Sequence, residues 1–212
     1  MITWLKSKMA ANDLVRDSYA ISYYHRQMIK HYGKDSSFAL GWRDEESQLI
    51  RFKVLAGIGD LNGCTVLDAG CGYADLYRYL TDLYPALRYY YGIEQIPELY
   101  DEAVKQYSDL KNTSFMSGSF ISKQLPTTDY VFASGSLNYG SQDPEFIFKA
   151  ITKLYNDCTI GLAFNFLREM PVKGLLVAYD REVILNHCRT LTDKITITDD
   201  YVDEDITIYL YH

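Results

Sequence analysis

The segment VLDAGCGYADLYRYL, Val66 to Leu80, limits what this chain can fold into more than any other stretch. Small and apolar residues lead into Asp68, glycines flank Cys71, and an amphipathic run then begins. Glycine at such a turn admits positive φ and lets a ligand approach the backbone closely. A helix starting near Ala74 would aim its free N–H groups at that ligand. In an open α/β sheet, ligands lie beyond the carboxyl ends of the strands, where the strand order switches. The segment therefore predicts a strand, a ligand-facing turn and a helix as one unit.

The rest of the chain repeats that alternation. Apolar spacing predicts a helix over residues 10–31, with Leu14, Val15, Ile21 and Met28 on its apolar side. A second helix follows, with Asp44, Glu45 and Glu46 at its positive end and Leu49, Phe52, Leu55 and Ile58 at helical spacing. Strands are expected over 65–69, 88–94, 113–116, 129–134 and 158–166, and helices over 75–84, 97–107, 144–156 and 180–190. KITITDD and DITIYLYH are alternating, β-branched runs around an acidic turn, hence a hairpin. Alternation of this kind gives an α/β fold, a Rossmann-like, doubly wound sheet. It is mostly parallel, with a C-terminal antiparallel strand and N-terminal helices. No repeat or linker divides the chain, so residues 1–212 read as a single domain. Within it, 1–62 form a helical N-terminal extension or lid, and 63–212 the ligand-binding core.

Composition narrows the partners. A net charge of −7 gives no electrostatic footprint for a nucleic-acid backbone, and Lys and Arg are spread as on a solvated face. The 20 tyrosines can build walls that are apolar yet offer hydroxyls, which suits a compact pocket for a small molecule. No stretch reaches the roughly 18 apolar residues of a membrane span, and the start shows no secretory pattern. A cytoplasmic protein with reduced thiols is expected, because Cys64, Cys71, Cys158 and Cys188 are scattered. No Cys or His spacing suggests a metal.

A second carboxylate sharpens the reading. Glu94, at the end of YYYGIEQ, lies about two dozen residues beyond the glycines, where an acidic residue can take two ribose hydroxyls. A strand-end carboxylate of this kind is expected to support little else in the fold. The turn carries Asp68 and Asp75, which would repel a pyrophosphate, and Asp75 stands where a dinucleotide fingerprint has its third glycine. A ligand with a cationic amino-acid head fits better, and S-adenosylmethionine has one.

On these residues the chain resembles the class I S-adenosylmethionine-dependent methyltransferases: VLDAGCGYADL is similar to their first motif and YYGIEQ to their second. The similarity runs from about Cys64 to the C-terminus, with TIYLYH as the inserted antiparallel strand. The resemblance implies S-adenosylmethionine as cofactor, held by Asp68, Gly70, Cys71, Gly72, Glu94 and Gln95, with Ser119 and Phe120 beside the adenine and Ser134 at the exit of the fourth strand. Ala74 replaces a frequent third glycine, and Ser119 stands at the usually acidic position. The fourth strand leads into SGSLNY rather than the Asn-Pro-Pro-Tyr of base and glutamine methylation, which implies a small-molecule acceptor.

Methyl transfer is an in-line displacement that depends on alignment, with a base needed only where the acceptor loses a proton. Asn138 and Tyr139 are candidates to orient the acceptor. Trp42, Gln48 and Arg51 are candidates for a lid, against helix packing as the other reading, and Arg168 or Lys173 for contact with an anionic acceptor. The acceptor atom and the oligomeric state are not legible. Alternatives are a protein or RNA methyltransferase, a noncatalytic methyltransferase-like binding module, and a dinucleotide-dependent oxidoreductase. The missing third glycine and the terminal hairpin weigh against the last.

Overall fold

A computed structural model of the chain describes residues 2–34, 36–169 and 174–212. Lys173 lies outside the described residues. Two N-terminal helices, α1 (Ile2–Tyr32) and α2 (Glu45–Leu55), precede strand β1 (Thr65–Ala69). Then follow α3 (Asp75–Leu83), β2 (Tyr89–Glu94), α4 (Pro97–Tyr107), β3 (Thr113–Ser117) and β4 (Thr128–Ala133). The chain continues through α5 (Phe146–Asn156), β5 (Cys158–Leu167), α6 (Arg181–Arg189), β6 (Ile195–Thr198) and β7 (Asp205–Tyr211).

The described strands form one seven-stranded sheet in the order β3-β2-β1-β4-β5-β7-β6. Strands β1 to β5 pair in parallel, whereas β7 is antiparallel to both β5 and β6. The order reverses between β1 and β4, so the crevice for a ligand lies beyond Ala69 and Ala133. Alternate residues face opposite ways, as strand geometry requires. Leu67 and Ala69 enter the core beneath α5 and α6, while Val66 packs with Phe52, Leu55, Leu76 and Leu80 of α2 and α3.

The N-terminal helices depart from the expected faces. Helix α1 starts at Ile2 rather than near residue 10, and Val15 is 68% exposed, while Ile21 and His25 are buried. In α2, Leu49 points outward and Gln48 and Arg51 are buried instead. The reason is electrostatic: Arg51 meets Asp205 of β7 beneath the helix, so the inward stripe has a polar side. An Asp44–Ser47 capping box starts α2, each side chain bonding the other's backbone N–H.

At Gly92, in the middle of β2, a Cβ would come within 2.7 Å of the Phe115 ring and 2.9 Å of the Cys71 sulfur. The turn after β1 therefore presses directly on β2. Gly92→Ala is expected to lower stability by about 1–3 kcal/mol through overpacking, measured by urea denaturation. A change within error would mean that Cys71 and Phe115 yield easily.

Candidate functional site

The glycine turn is built from backbone conformations that bulkier residues resist. Gly70 and Gly72 have φ of 84° and 57°, and Ala74 follows at 62°. The N–H groups of Gly70 and Cys71 both reach the carbonyl of Ile93, at 2.9 and 3.1 Å. Glu94 secures the rest. Its Oε2 accepts from Gly72 N–H at 2.9 Å and its Oε1 from Ile96 N–H at 2.8 Å. Glu94 is thus a buried clasp as well as a strand-end charge, contrary to the expectation that it supports little else. The backbone N–H of Gln95 is a third donor, which leaves the carboxylate room for a ligand hydroxyl. Burial raises its pKa, against the lowering effect of those backbone bonds.

Asp68 lies beneath the turn and accepts from Tyr90 O–H at 2.7 Å. Burial pushes its pKa up to about 7; the Tyr90 bond opposes this, and Glu94 and Asp75 add to it. A cationic group beside Asp68 would relieve that penalty.

Above the turn is a cavity of about 240 Å³. Asp68, Gly70, Cys71, Gly72, Glu94, Gln95, Ser119, Phe120 and Ser134 all line it, so the described structure brings these nine sequence candidates together. Burial holds Cys71 as a thiol, its pKa raised. The side chain of Gln95 is engaged, accepting from Ser18 of α1 at 3.0 Å. Ser119 caps the turn after Gly118 through Ile121 N–H at 3.4 Å.

Trp42, Gln48 and Arg51 also line the cavity, by different means. The Trp42 ring lies against Gly135, where a Cβ would stand 2.9 Å from it, and Leu40 covers Gly72 in the same way at 2.8 Å. Residues 40–42 thereby roof both the glycine turn and the exit of β4. Gln48 donates to Asp75 at 3.0 Å. Arg51 is a packing anchor: it pairs with buried Asp205, donates to Ser47 O at 2.7 Å, and lies 5.3 Å from the Trp42 ring.

Arg168 does not line the cavity. Its Nε donates to Asp203 O at 2.5 Å and its guanidinium faces Asp199, so it fastens the end of β5 to the β6–β7 turn. Asn138 lines the cavity but its side chain is committed to the scaffold, accepting from Leu167 N–H at 2.8 Å, while its carbonyl accepts from Val177 N–H at 2.7 Å. Tyr139 lines the cavity and its hydroxyl meets His25 of α1 at 2.6 Å.

Sequence reasoning missed His25, Ser136, Glu204 and Asp205, all of which line the cavity. A histidine four residues after Ile21, on the buried side of an amphipathic helix, was the available signal for the first. Ser136 lies in SGSLNY, two residues after Ser134, whereas nothing local marks Glu204 and Asp205, which long-range pairing brings in. Among the described residues, buried Ser134 Oγ, Ser136 Oγ and Asp205 Oδ1 have no hydrogen-bond partner. Such atoms cost about 1–3 kcal/mol each unless something meets them. Around the glycine turn the lining is acidic, with Asp68, Asp75 and Glu94, which suits a cation with hydroxyls and opposes a phosphate.

The fold is shared with solved structures. The fold is that of S-adenosylmethionine-dependent methyltransferases. Magnesium protoporphyrin IX methyltransferase from Synechocystis PCC 6803 with bound SAH superposes with a TM-score of 0.68 at 16% identity, over 93% of this chain and 98% of that one. A SAM-dependent methyltransferase from Aquifex aeolicus gives 0.58 at 20% identity, over 79% and 94%. Human N-acetylserotonin methyltransferase in complex with SAM gives 0.59 at 14% identity, over 92% and 66%. No protein-family model and no curated protein sequence matches the chain.

The strained carboxyl gives a stability prediction. Because the Asp68 pKa rises from 3.8 to about 7 on folding, the folded state binds the extra proton between those values. Stability from this group is then lost as pH rises through that window. Asn at this position keeps an acceptor for Tyr90 and does not ionise. Asp68→Asn should therefore gain on the parent between about pH 5 and about pH 8, by on the order of a few kcal/mol. Urea denaturation at both pH values checks this, and a difference independent of pH would refute it.

Proposed function

We propose that this chain is an S-adenosylmethionine-dependent methyltransferase acting on a small-molecule acceptor. The observation that carries the reading is the acidic glycine turn, with Asp68, Asp75 and Glu94 lining one cavity at the switch point of this fold. Bound there, the cofactor supplies an electrophilic methyl group on a sulfonium. Asp68 holds the ammonium of its methionine part, and Glu94 accepts from the ribose hydroxyls. Gly70 and Gly72 keep the backbone bare beside it, while Ser119 and Phe120 border the adenine. Ser134 Oγ, unpartnered among the described residues, would be available to bond the methionine part.

The chain's own contribution is alignment and exclusion of water. Residues 40–42, roofing the cavity from Gly72 to Gly135, separate cofactor and acceptor from solvent. The N-terminal residues 1–62 serve as this cover within a single domain. The net charge of −7 and the cover of residues 40–42 over the cavity favour a small acceptor over nucleic acid or a folded protein. All four cysteines are free, in keeping with a reducing, cytoplasmic setting. No helix among the described residues is long and apolar enough to cross a membrane.

Calorimetry tests the reading. SAM and SAH should bind and NAD should not; the reverse would overturn it. Glu94→Gln should weaken SAM by about 1.5–3 kcal/mol, the scale of charge-assisted hydrogen bonds. An ammonium beside Asp68 lowers a pKa that stands at about 7, so binding should release a proton and tighten as pH rises toward that value. Titration in buffers of different ionisation enthalpy reads that proton directly.

A further inference from the structure

His25 and Tyr139 are 114 residues apart and meet at 2.6 Å, joining α1 to the loop after β4. The ring of His25 is 3% exposed and bonded at both nitrogens. Nδ1 lies 2.9 Å from Ala39 O. A carbonyl only accepts, so Nδ1 carries a hydrogen. Burial lowers the His25 pKa, against the opposing effect of the Ala39 bond, so the ring is neutral and Nε2 holds a lone pair. The Tyr139 hydroxyl therefore donates to Nε2. Its own lone pairs remain, and both residues line the cavity.

Geometry gives the pair a direction. Burial raises the Tyr139 pKa, and Tyr24 and Glu94 raise it further, so a lasting phenolate is disfavoured there. Tyr24 packs edge-on against His25, with ring centroids 5.1 Å apart. Burial disfavours a lasting imidazolium as well, so charge on either member is transient. His25 Nε2, already the acceptor of the Tyr139 hydrogen bond, is the group placed to take a proton from it.

We propose that Tyr139 and His25 form a proton relay for the acceptor, and that the acceptor is a small molecule methylated at a hydroxyl. This rests on the methyltransferase reading above. In the step, the bond from sulfonium sulfur to methyl breaks, leaving its electron pair on sulfur as a thioether, and an oxygen–methyl bond forms. The hydroxyl proton of the acceptor passes to the Tyr139 oxygen as the Tyr139 proton passes to His25 Nε2. The imidazolium then returns that proton to solvent. Tyr139 is the catalytic residue, and His25 acts through it. A neutral hydroxyl is a weak nucleophile that must lose its proton, whereas a neutral amine or a thiolate attacks without such help. Ile21, Trp42, Phe52 and Leu176 line the same space and suit an aromatic or alicyclic skeleton.

Two measurements test the proposal. Histidine-labelled protein, studied by long-range nitrogen–proton NMR, should show His25 as the neutral Nδ1–H tautomer at neutral pH, charging only below the ordinary histidine value of 6.5. Production of SAH is then followed with catechol, 2-naphthol, aniline, 2-naphthylamine and thiophenol as acceptors. The hydroxyl compounds should be methylated in preference to the amines and the thiol. Tyr139→Phe and His25→Gln should each lower kcat on them by about 10²–10⁴-fold, with SAM affinity kept within about twofold. The acid limb of kcat/KM should disappear in His25→Gln. A cationic His25 at neutral pH, the opposite tautomer, unchanged kcat in both variants, or turnover of amines or thiol alone would overturn the relay. A wild-type protein that binds SAM and methylates no hydroxyl compound would do the same. Failure of the wild type to bind SAM overturns the methyltransferase reading itself.

Discussion

The carboxylate of Glu94 fixes two chain reversals to each other, and the site depends on that junction. One oxygen holds the glycine turn after β1 and the other holds the start of α4, while Ile93 O takes two further N–H groups from the turn. Four donors from three loop positions and a helix terminus converge on two neighbouring residues of one strand. A buried carboxylate is a costly choice, and burial raises its pKa accordingly. Charge-assisted bonds to backbone N–H groups offset that cost, and they hold rigid a turn whose residues have positive φ.

The fold was legible because it rests on local patterns. Strand and helix periods, Pro97 at the first turn of α4, and the alternating KITIT and DITIYLY runs fixed nearly every element to within two residues. Six of the cofactor-side candidates followed from one turn and one strand end, both contiguous in sequence, Ser119, Phe120 and Ser134 followed from the family resemblance, and all of them line the cavity. The N-terminal half of the site was less legible. Gln48 and Arg51 are polar residues on a buried helix face, so hydrophobic periodicity selected Leu49, which is exposed. Glu204 and Asp205 enter the cavity only because β7 inserts between β5 and β6. Arg168 follows the end of β5, and its ion pair with Asp199 draws it to the surface of the hairpin. Local sequence carries no trace of such pairings.

Charge is unevenly divided inside the cavity. Asp68, Asp75 and Glu94 gather around the glycine turn, and burial raises the pKa of Asp68 and Glu94 there. Elsewhere in the lining Arg51 is neutralised by Asp205, whose pKa burial raises to about 6 against the pull of Arg51. The glycine turn thus invites a cation, whereas the Arg51–Asp205 pair is balanced. A ligand reaching both meets an uneven field, which favours one orientation over the other.

The pairing of Arg51 with Asp205 spans 154 residues and ties the second helix of the chain to its last strand. Tyr209 and Tyr211 of the same strand reach back to Val54 O and Ile58 O. During synthesis, α2 therefore emerges with a buried-type arginine and an apolar face long before their partner exists. Contacts this distant in sequence close late, because the loop entropy between them must be met first. The roof over the cavity meets α2 through Trp42 and Arg51 as well as α1 through Ala39 and His25, so its α2 side settles only once β7 is in place. A nascent or partly unfolded chain can hold a formed central sheet and still have no closed site.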